Sequence, residues 1–189
     1  LENDFISSIK SNKNLHPSLN VILPNNIKIE KFEKITEVTN IDLDLIVVGV
    51  SSVGIDWVGE EISKFYKDKT PIILLTKGLS IIDDQLTTLT EKLEMILKKN
   101  GHKNINISSV KGPCLASGLA NKMRTGTIIA NKNIKEAQKI QNIIQTEYYK
   151  CEISEDIEGI EISSAIKNLY SMLIGGSQGL SNPEASKEV

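Results

Sequence analysis

Four short β-branched runs, each separated from the next by a stretch with helical spacing, constrain this chain more than any other feature. Leu45-Ile-Val-Val-Gly-Val50, Pro71-Ile-Ile-Leu-Leu-Thr76, Ile105-Asn-Ile-Ser-Ser-Val110 and Gly126-Thr-Ile-Ile-Ala130 read as buried strands of a largely parallel sheet. The segments around them, residues 53–66, 83–99, 115–122 and 135–145, read as helices. Strand, helix, strand succession of this kind predicts an α/β fold with helices on both faces of the sheet. A length of 189 residues suits one domain, or one domain and part of a second.

Local chemistry refines the boundaries. Asp83-Asp84 at one end and Lys98-Lys99 followed by Asn100-Gly101 at the other suit the dipole and C-cap of a helix over 83–99. Trp57 and Phe65, eight apart, read as core packing, and His16 and His102 as solvated loop residues. Composition changes after Glu155, where a long helix opens at Asp156 or Gly159 and is expected to end in Gly175-Gly176-Ser177, so a domain boundary is placed near residue 155.

Charge and cysteine content narrow the function. A net charge of -2 and a pI near 5.8 give no global attraction to nucleic acid or anionic membrane, so anion recognition must be local. Cys114 and Cys151 have no ligand-like spacing, which argues against zinc and a disulfide framework and fits a reducing cytoplasm. The apolar runs are far shorter than the ~20 residues that span a bilayer. The chain opens on Leu1 with nothing resembling a signal peptide, and is expected to be a fragment.

In open α/β sheets ligands gather beyond the carboxyl ends of the strands. Gly49-Val-Ser-Ser-Val-Gly54 follows the first strand; its small side chains let a cofactor approach closely, and equally suit a tight strand-to-helix turn. Lys77, within Thr76-Lys-Gly-Leu79, places a cation at the same edge, and equally reads as a surface turn lysine. Lys111-Gly-Pro-Cys-Leu-Ala-Ser-Gly-Leu-Ala120 turns the third strand into a helix whose free amides favour an anion or a hydroxyl-rich substrate, and equally reads as an ordinary loop. Cys114 lies near that helix start but lacks a histidine partner in sequence, which argues against a nucleophile.

Lys167 lies in the most apolar helical stretch, residues 160–174. Ile162, Ile166, Leu169 and Leu173 mark one expected buried face, with Lys167 one step off it. An ammonium there must snorkel, pair or lose its proton, and a lysine that gives up its proton readily is a candidate general base; a solvated stripe beside the apolar face is the other reading.

Together, Thr76-Lys-Gly-Leu79, Gly112-Pro-Cys-Leu-Ala116 and Asp156-Ile-Glu-Gly-Ile-Glu-Ile-Ser-Ser-Ala-Ile-Lys-Asn168 resemble the NAD(P)-dependent sn-glycerol-3-phosphate dehydrogenase family, and the similarity covers nearly the whole chain. The specific part is the Gly-x-Glu-x-x-x-Ala-x-Lys-Asn pattern from Gly159 to Asn168. The resemblance implies a Rossmann-like domain over 1–155, lacking its opening Gly-x-Gly-x-x-Gly unit, and the first long helix of an all-α substrate domain over 156–189. It implies interconversion of sn-glycerol 3-phosphate and dihydroxyacetone phosphate with NAD or NADP, in the cytoplasm, and admits a homodimer. By the same resemblance Lys167 exchanges the hydroxyl proton and Asn168 supports it. Lys77 touches substrate and cofactor, Gly112 and Cys114 line the glycerol phosphate pocket, and Ser51, Ser52 and Ala116 lie against the cofactor. Cys114 stands where the family has a hydroxyl or amide residue, and Ser51 where it commonly has proline. The 189-residue chain made alone is expected to be inactive or nearly so. Two alternatives keep the scaffold: a β-hydroxy acid dehydrogenase of the 6-phosphogluconate or ketopantoate type, and a non-catalytic binding module.

Overall fold

A computed structural model of the chain describes residues 2–35 and 41–181. Helix α1 (Glu2–Ser11) leads into a two-residue antiparallel ladder, β1 (Leu15–His16) with β2 (Val21–Ile22). The main sheet is built from β3 (Ile46–Val48), β4 (Pro71–Leu74), β7 (Asn106–Lys111), β8 (Thr125–Ala130) and β9 (Tyr149–Ser154), adjacent in that order. All neighbours are parallel except β7 and β8. Strands β5 (Leu79–Ile82) and β6 (Gln85–Thr88) form a separate hairpin. The remaining helices are α2 (Ile55–Ser63), α3 (Leu89–Lys99), α4 (Ala116–Ala120), α5 (Ile134–Ile144) and α6 (Ile157–Ser181).

Alternation along the strands sorts the core into two layers. Ile72 and Leu74 of β4 join Val48, Ile55, Ile62, Leu89, Leu93 and Leu97 on the face covered by α2 and α3. Ile73 of the same strand joins Val110, Ile129, Ala137, Ile140 and Cys151 on the face covered by α5. All four expected strands are present, and the expected helices on both faces are there.

Several expectations are corrected. The helix over 83–99 begins only at Leu89: Asp83 and Asp84 are the two turn residues of the β5–β6 hairpin, with φ of 50° and 60°. Two successive positive φ values match the twist of a tight hairpin, and aspartate tolerates them. The helix start is set instead by Thr88, whose hydroxyl accepts from the Glu91 amide while the Glu91 carboxylate accepts from the Thr88 amide. Its end is where the sequence puts it, with Asn100 as C-cap and Gly101 at φ +95°. Helix α6 runs through Gly175 and Gly176 to Ser181 instead of stopping there. Trp57 is 47% exposed, its ring tilted against that of Phe32 at 4.6 Å between centroids. His102 is no solvated loop residue: its Nε2 lies 2.9 Å from the Ser63 carbonyl and its ring meets Tyr66 edge-on.

Strand β9 was not among the expected strands, although Tyr149, Cys151 and Ile153 alternate with the exposed Lys150 and Glu152. It completes the sheet on the far side of β8 and delivers the chain, through Glu155 and Asp156, to α6, which crosses β7 and β8. Asp156 caps that helix, its carboxylate accepting from the Gly159 amide at 2.8 Å.

Candidate active site

The carboxyl ends of β3, β4 and β7 are stitched together by side chains. Thr76 donates its hydroxyl to the Val50 carbonyl at 2.6 Å, and Lys111 donates its ammonium to the Leu74 carbonyl at 2.9 Å. Gly78, at φ +132°, lies where a Cβ would stand 3.3 Å from that of Ser52. This close approach holds the turn after β4 against the turn after β3, bringing Lys77 to the Ser51–Ser52 edge. Ser51, Ser52 and Lys77 are exposed, and a Cβ on Gly49 would meet nothing within 4 Å, so the edge is open.

Next to it, α6 and the turn after β7 enclose a cleft of about 420 Å³. Gly112 and Pro113 form one wall; Gly159, Ser163, Ser164 and Lys167 form the other. Those helix positions recur at three- and four-residue spacing, and their small side chains keep the cleft from filling. Gly112 is demanded by packing, since a Cβ there would stand 2.8 Å from both the Gly126 carbonyl oxygen and the Thr127 Cα. Of the residues named from sequence, Lys167 and Gly112 meet in this cleft. Lys77 does not line it, but its charge acts on Lys111, which does. Cys114, Ala116 and Asn168 are not among the residues that line it.

The reading of Lys167 as a lysine beside a buried apolar face is corrected. Ile162, Leu169 and Leu173 are exposed and Ile166 is half-buried, and Lys167 itself is exposed. The sheet is contacted by the opposite stripe, on which Ile157 and Glu161 are the buried residues of α6.

Sequence reasoning missed the buried charge in this region. Lys111 and Glu161 have side chains only 3% and 1% exposed, with the ammonium 3.4 Å from the carboxylate. Glu161 also accepts from the Thr90 hydroxyl and the Ser109 hydroxyl, each at 2.6 Å, and from the Thr90 amide at 3.2 Å. Its carboxylate thus sits at the N-terminus of α3, where the helix dipole favours negative charge. Burial lowers the proton affinity of Lys111; the charge and hydrogen bond of Glu161 oppose that, and Lys77 adds to it. The signal in sequence was a lysine closing a buried strand and a glutamate inside an apolar helix, two charges that each needed a partner.

A larger cleft, of about 510 Å³, opens near the start of β7, among Asn106, Asn131, Lys132 and Glu136. Several of its polar groups are engaged with one another: Asn106 donates to Glu136 at 2.8 Å, Glu136 pairs with Lys139, and Asn131 donates to Asn106 and Ser108. The Lys167 cleft is the better candidate because Lys111 and Gly112, at the carboxyl end of β7, line it.

Residues 2–137 match the family described as NAD-dependent glycerol-3-phosphate dehydrogenase N-terminus. The chain is 31% identical over 181 residues to an NADP(+)-dependent glycerol-3-phosphate dehydrogenase of Archaeoglobus fulgidus, covering 94% of this chain and 51% of that protein. It is 28% identical over 169 residues to a glycerol-3-phosphate dehydrogenase [NAD(P)+] of Clostridium botulinum, covering 89% and 48%. The chain therefore spans about half the length of these curated relatives. Its Rossmann-like fold is shared with the Plasmodium falciparum glycerol-3-phosphate dehydrogenase structure, at a TM-score of 0.76 and 22% identity over 97% of this chain and 50% of that one.

Proposed function

The chain belongs to the NAD-dependent glycerol-3-phosphate dehydrogenase family, and from that premise we propose that it serves in an enzyme interconverting sn-glycerol 3-phosphate and dihydroxyacetone phosphate with NAD or NADP. Residues 1–155 then belong to the dinucleotide-binding domain, and α6 opens the helical substrate domain. The observation that carries the reading is the meeting of Lys167 and the Gly112-Pro113 turn in one cleft beside the strand ends.

The residues at those ends fit a dinucleotide. Small exposed serines, the open backbone at Gly49 and the ammonium of Lys77 suit close approach by an anionic ligand. Ser51, Ser52, Lys77 and Ala116 would hold the cofactor, which when bound supplies the nicotinamide that takes or returns hydride. In the oxidation, the amine form of Lys167 accepts the proton of the secondary hydroxyl as the carbinol hydrogen departs with its electron pair, leaving a ketone. In reduction its ammonium returns that proton. Asn168 supports the amine, and Gly112 with Cys114 borders the glycerol phosphate. Lys77 and Lys167 bring positive charge toward a doubly charged phosphate monoester, while the charge of Lys111 is balanced by Glu161. A cytoplasmic setting and a homodimer complete the reading, and the free Cys114 and Cys151 fit a reducing compartment.

Replacing Lys167 by Ala in the complete protein tests this directly. Turnover of sn-glycerol 3-phosphate is expected to fall about 100- to 10,000-fold while NAD(P) affinity changes little. Turnover that survives the substitution removes the lysine from the mechanism.

A further inference from the structure

The Lys111–Glu161 pair has no part in the proton transfer above, yet it lies directly beneath the cleft. We infer that this buried pair is a positioning device, fixing α6 on the sheet so that Lys167 stands at the cleft. The inference rests on the dehydrogenase reading for its kinetic readout.

Two elements converge on Glu161. Lys111 and Ser109 reach it from β7, and Thr90 reaches it with both hydroxyl and amide from α3. Lys111 in turn is pinned to β4 through the Leu74 carbonyl. Among the described residues, Glu161 is the last buried position of α6; every one after it is half-buried or exposed. Lys167 follows six residues later on the same continuous helix, about 9 Å along its axis. A helix held through its first turns, at Ile157 and Glu161, and less covered beyond them pivots about that end, so a small tilt at Glu161 becomes a larger displacement at Lys167.

A carboxylate also specifies this contact better than an apolar side chain would. Its four donors come from fixed directions on two elements, so α6 cannot slide or rotate by a residue without stranding a buried charge. Apolar packing would tolerate such a shift.

The test uses Lys111→Met, which keeps length and removes charge, and the isosteric Glu161→Gln. Each is made in the complete protein, alone and with Lys167→Ala. Each single change is expected to lower kcat about 100-fold, as a displacement near 1 Å does, with KM for sn-glycerol 3-phosphate and NAD(P) held within about threefold. In the Lys167→Ala protein the same changes should cost less than about twofold, because the group they position is gone. An unchanged kcat in folded Glu161→Gln overturns the inference, and so does an equal loss in both backgrounds. Should Lys167→Ala itself leave turnover intact, the dehydrogenase mechanism fails, and the positioning role is judged by amide exchange in this chain alone. There Glu161→Gln should speed exchange across residues 162–168 by about tenfold or more. Unchanged exchange overturns the inference independently of any activity. If Lys111→Met does not fold, Glu161→Gln carries every arm.

Discussion

The two lysines of the candidate site sit in opposite circumstances. Lys167 occupies the most apolar stretch of the sequence and is exposed; Lys111 follows two serines on β7 and is buried. Apolar neighbours along a helix do not bury a residue, because burial depends on which stripe meets another element. On α6 the sheet takes the stripe of Ile157 and Glu161 and leaves Ile162, Leu169 and Leu173 outside. On β7, Ser108 and Ser109 are buried because hydroxyls there find partners, Asn131 and Glu161, and Lys111 shares that environment. One lysine is an anchor held between the Glu161 carboxylate and the Leu74 carbonyl; the other lines the cleft without an ion-pair partner among the described residues.

The sharpest way to break this contrast is to remove the anchor's partner. Glu161→Ala leaves Lys111 buried without its counterion, and a stranded charge of this kind costs about 3–5 kcal/mol. Chemical denaturation of the 189-residue chain measures it. A loss below about 1 kcal/mol would mean that water reaches Lys111, and the pair would be a surface ion pair in all but appearance. Gly112→Ala comes next. It pushes a methyl into the β8 backbone, where neither the Gly126 carbonyl nor Thr127 Cα is a flexible side-chain end, at an expected cost of about 1–3 kcal/mol.

The same contrast explains what was legible in the sequence. The four expected strands and the C-terminal end of α3 could be read because local signals there agree with the tertiary environment: β-branched runs lie in a two-faced core, and Gly101 takes the positive φ that ends the helix. Asp83 and Asp84 misled because an acidic pair suits both a helix start and a positive-φ turn, and only the pairing of Leu79–Ile82 with Gln85–Thr88 decides between them. Of the cleft, the Gly112 turn and Lys167 were legible as motifs. Their floor was not, since Thr90, Ser109, Lys111 and Glu161 come from three elements and acquire meaning only when the fold brings them together.

Smaller effects refine the picture. Thr88→Ala deletes one half of the capping box at the helix that also donates to Glu161, and should cost about 1 kcal/mol. Smaller again is the pH response of Lys111, because Glu161 and the Leu74 carbonyl oppose the burial behind it. Its folded-state proton affinity lies below the ordinary value of 10.5, so between the two values the unfolded chain binds more protons. Stability from this group is therefore full above 10.5 and is lost as pH falls through the depressed value. The groups facing it are Glu161 from α6 and Lys77 from the turn after β4. Against wild type, Lys111→Met should flatten the rise in stability on the alkaline side, and a parallel pair of pH profiles would contradict the assignment.

The smallest expected change is the most diagnostic. Lys167 forms no ion pair among the described residues, and its surroundings on α6 are exposed or half-buried. Alanine is the better helix former by a few tenths of a kcal/mol, so Lys167→Ala should shift unfolding stability by no more than about 0.5 kcal/mol in either direction. If Lys167→Ala loses turnover, as proposed, while stability is untouched, the amine is held in place by other residues, and the buried charges of Lys111 and Glu161 are the ones that the positioning proposal names. If Lys167→Ala instead destabilised the chain by as much as Glu161→Ala, the division between anchor and presented amine would collapse, and the cleft would have to be read as one continuous packed network.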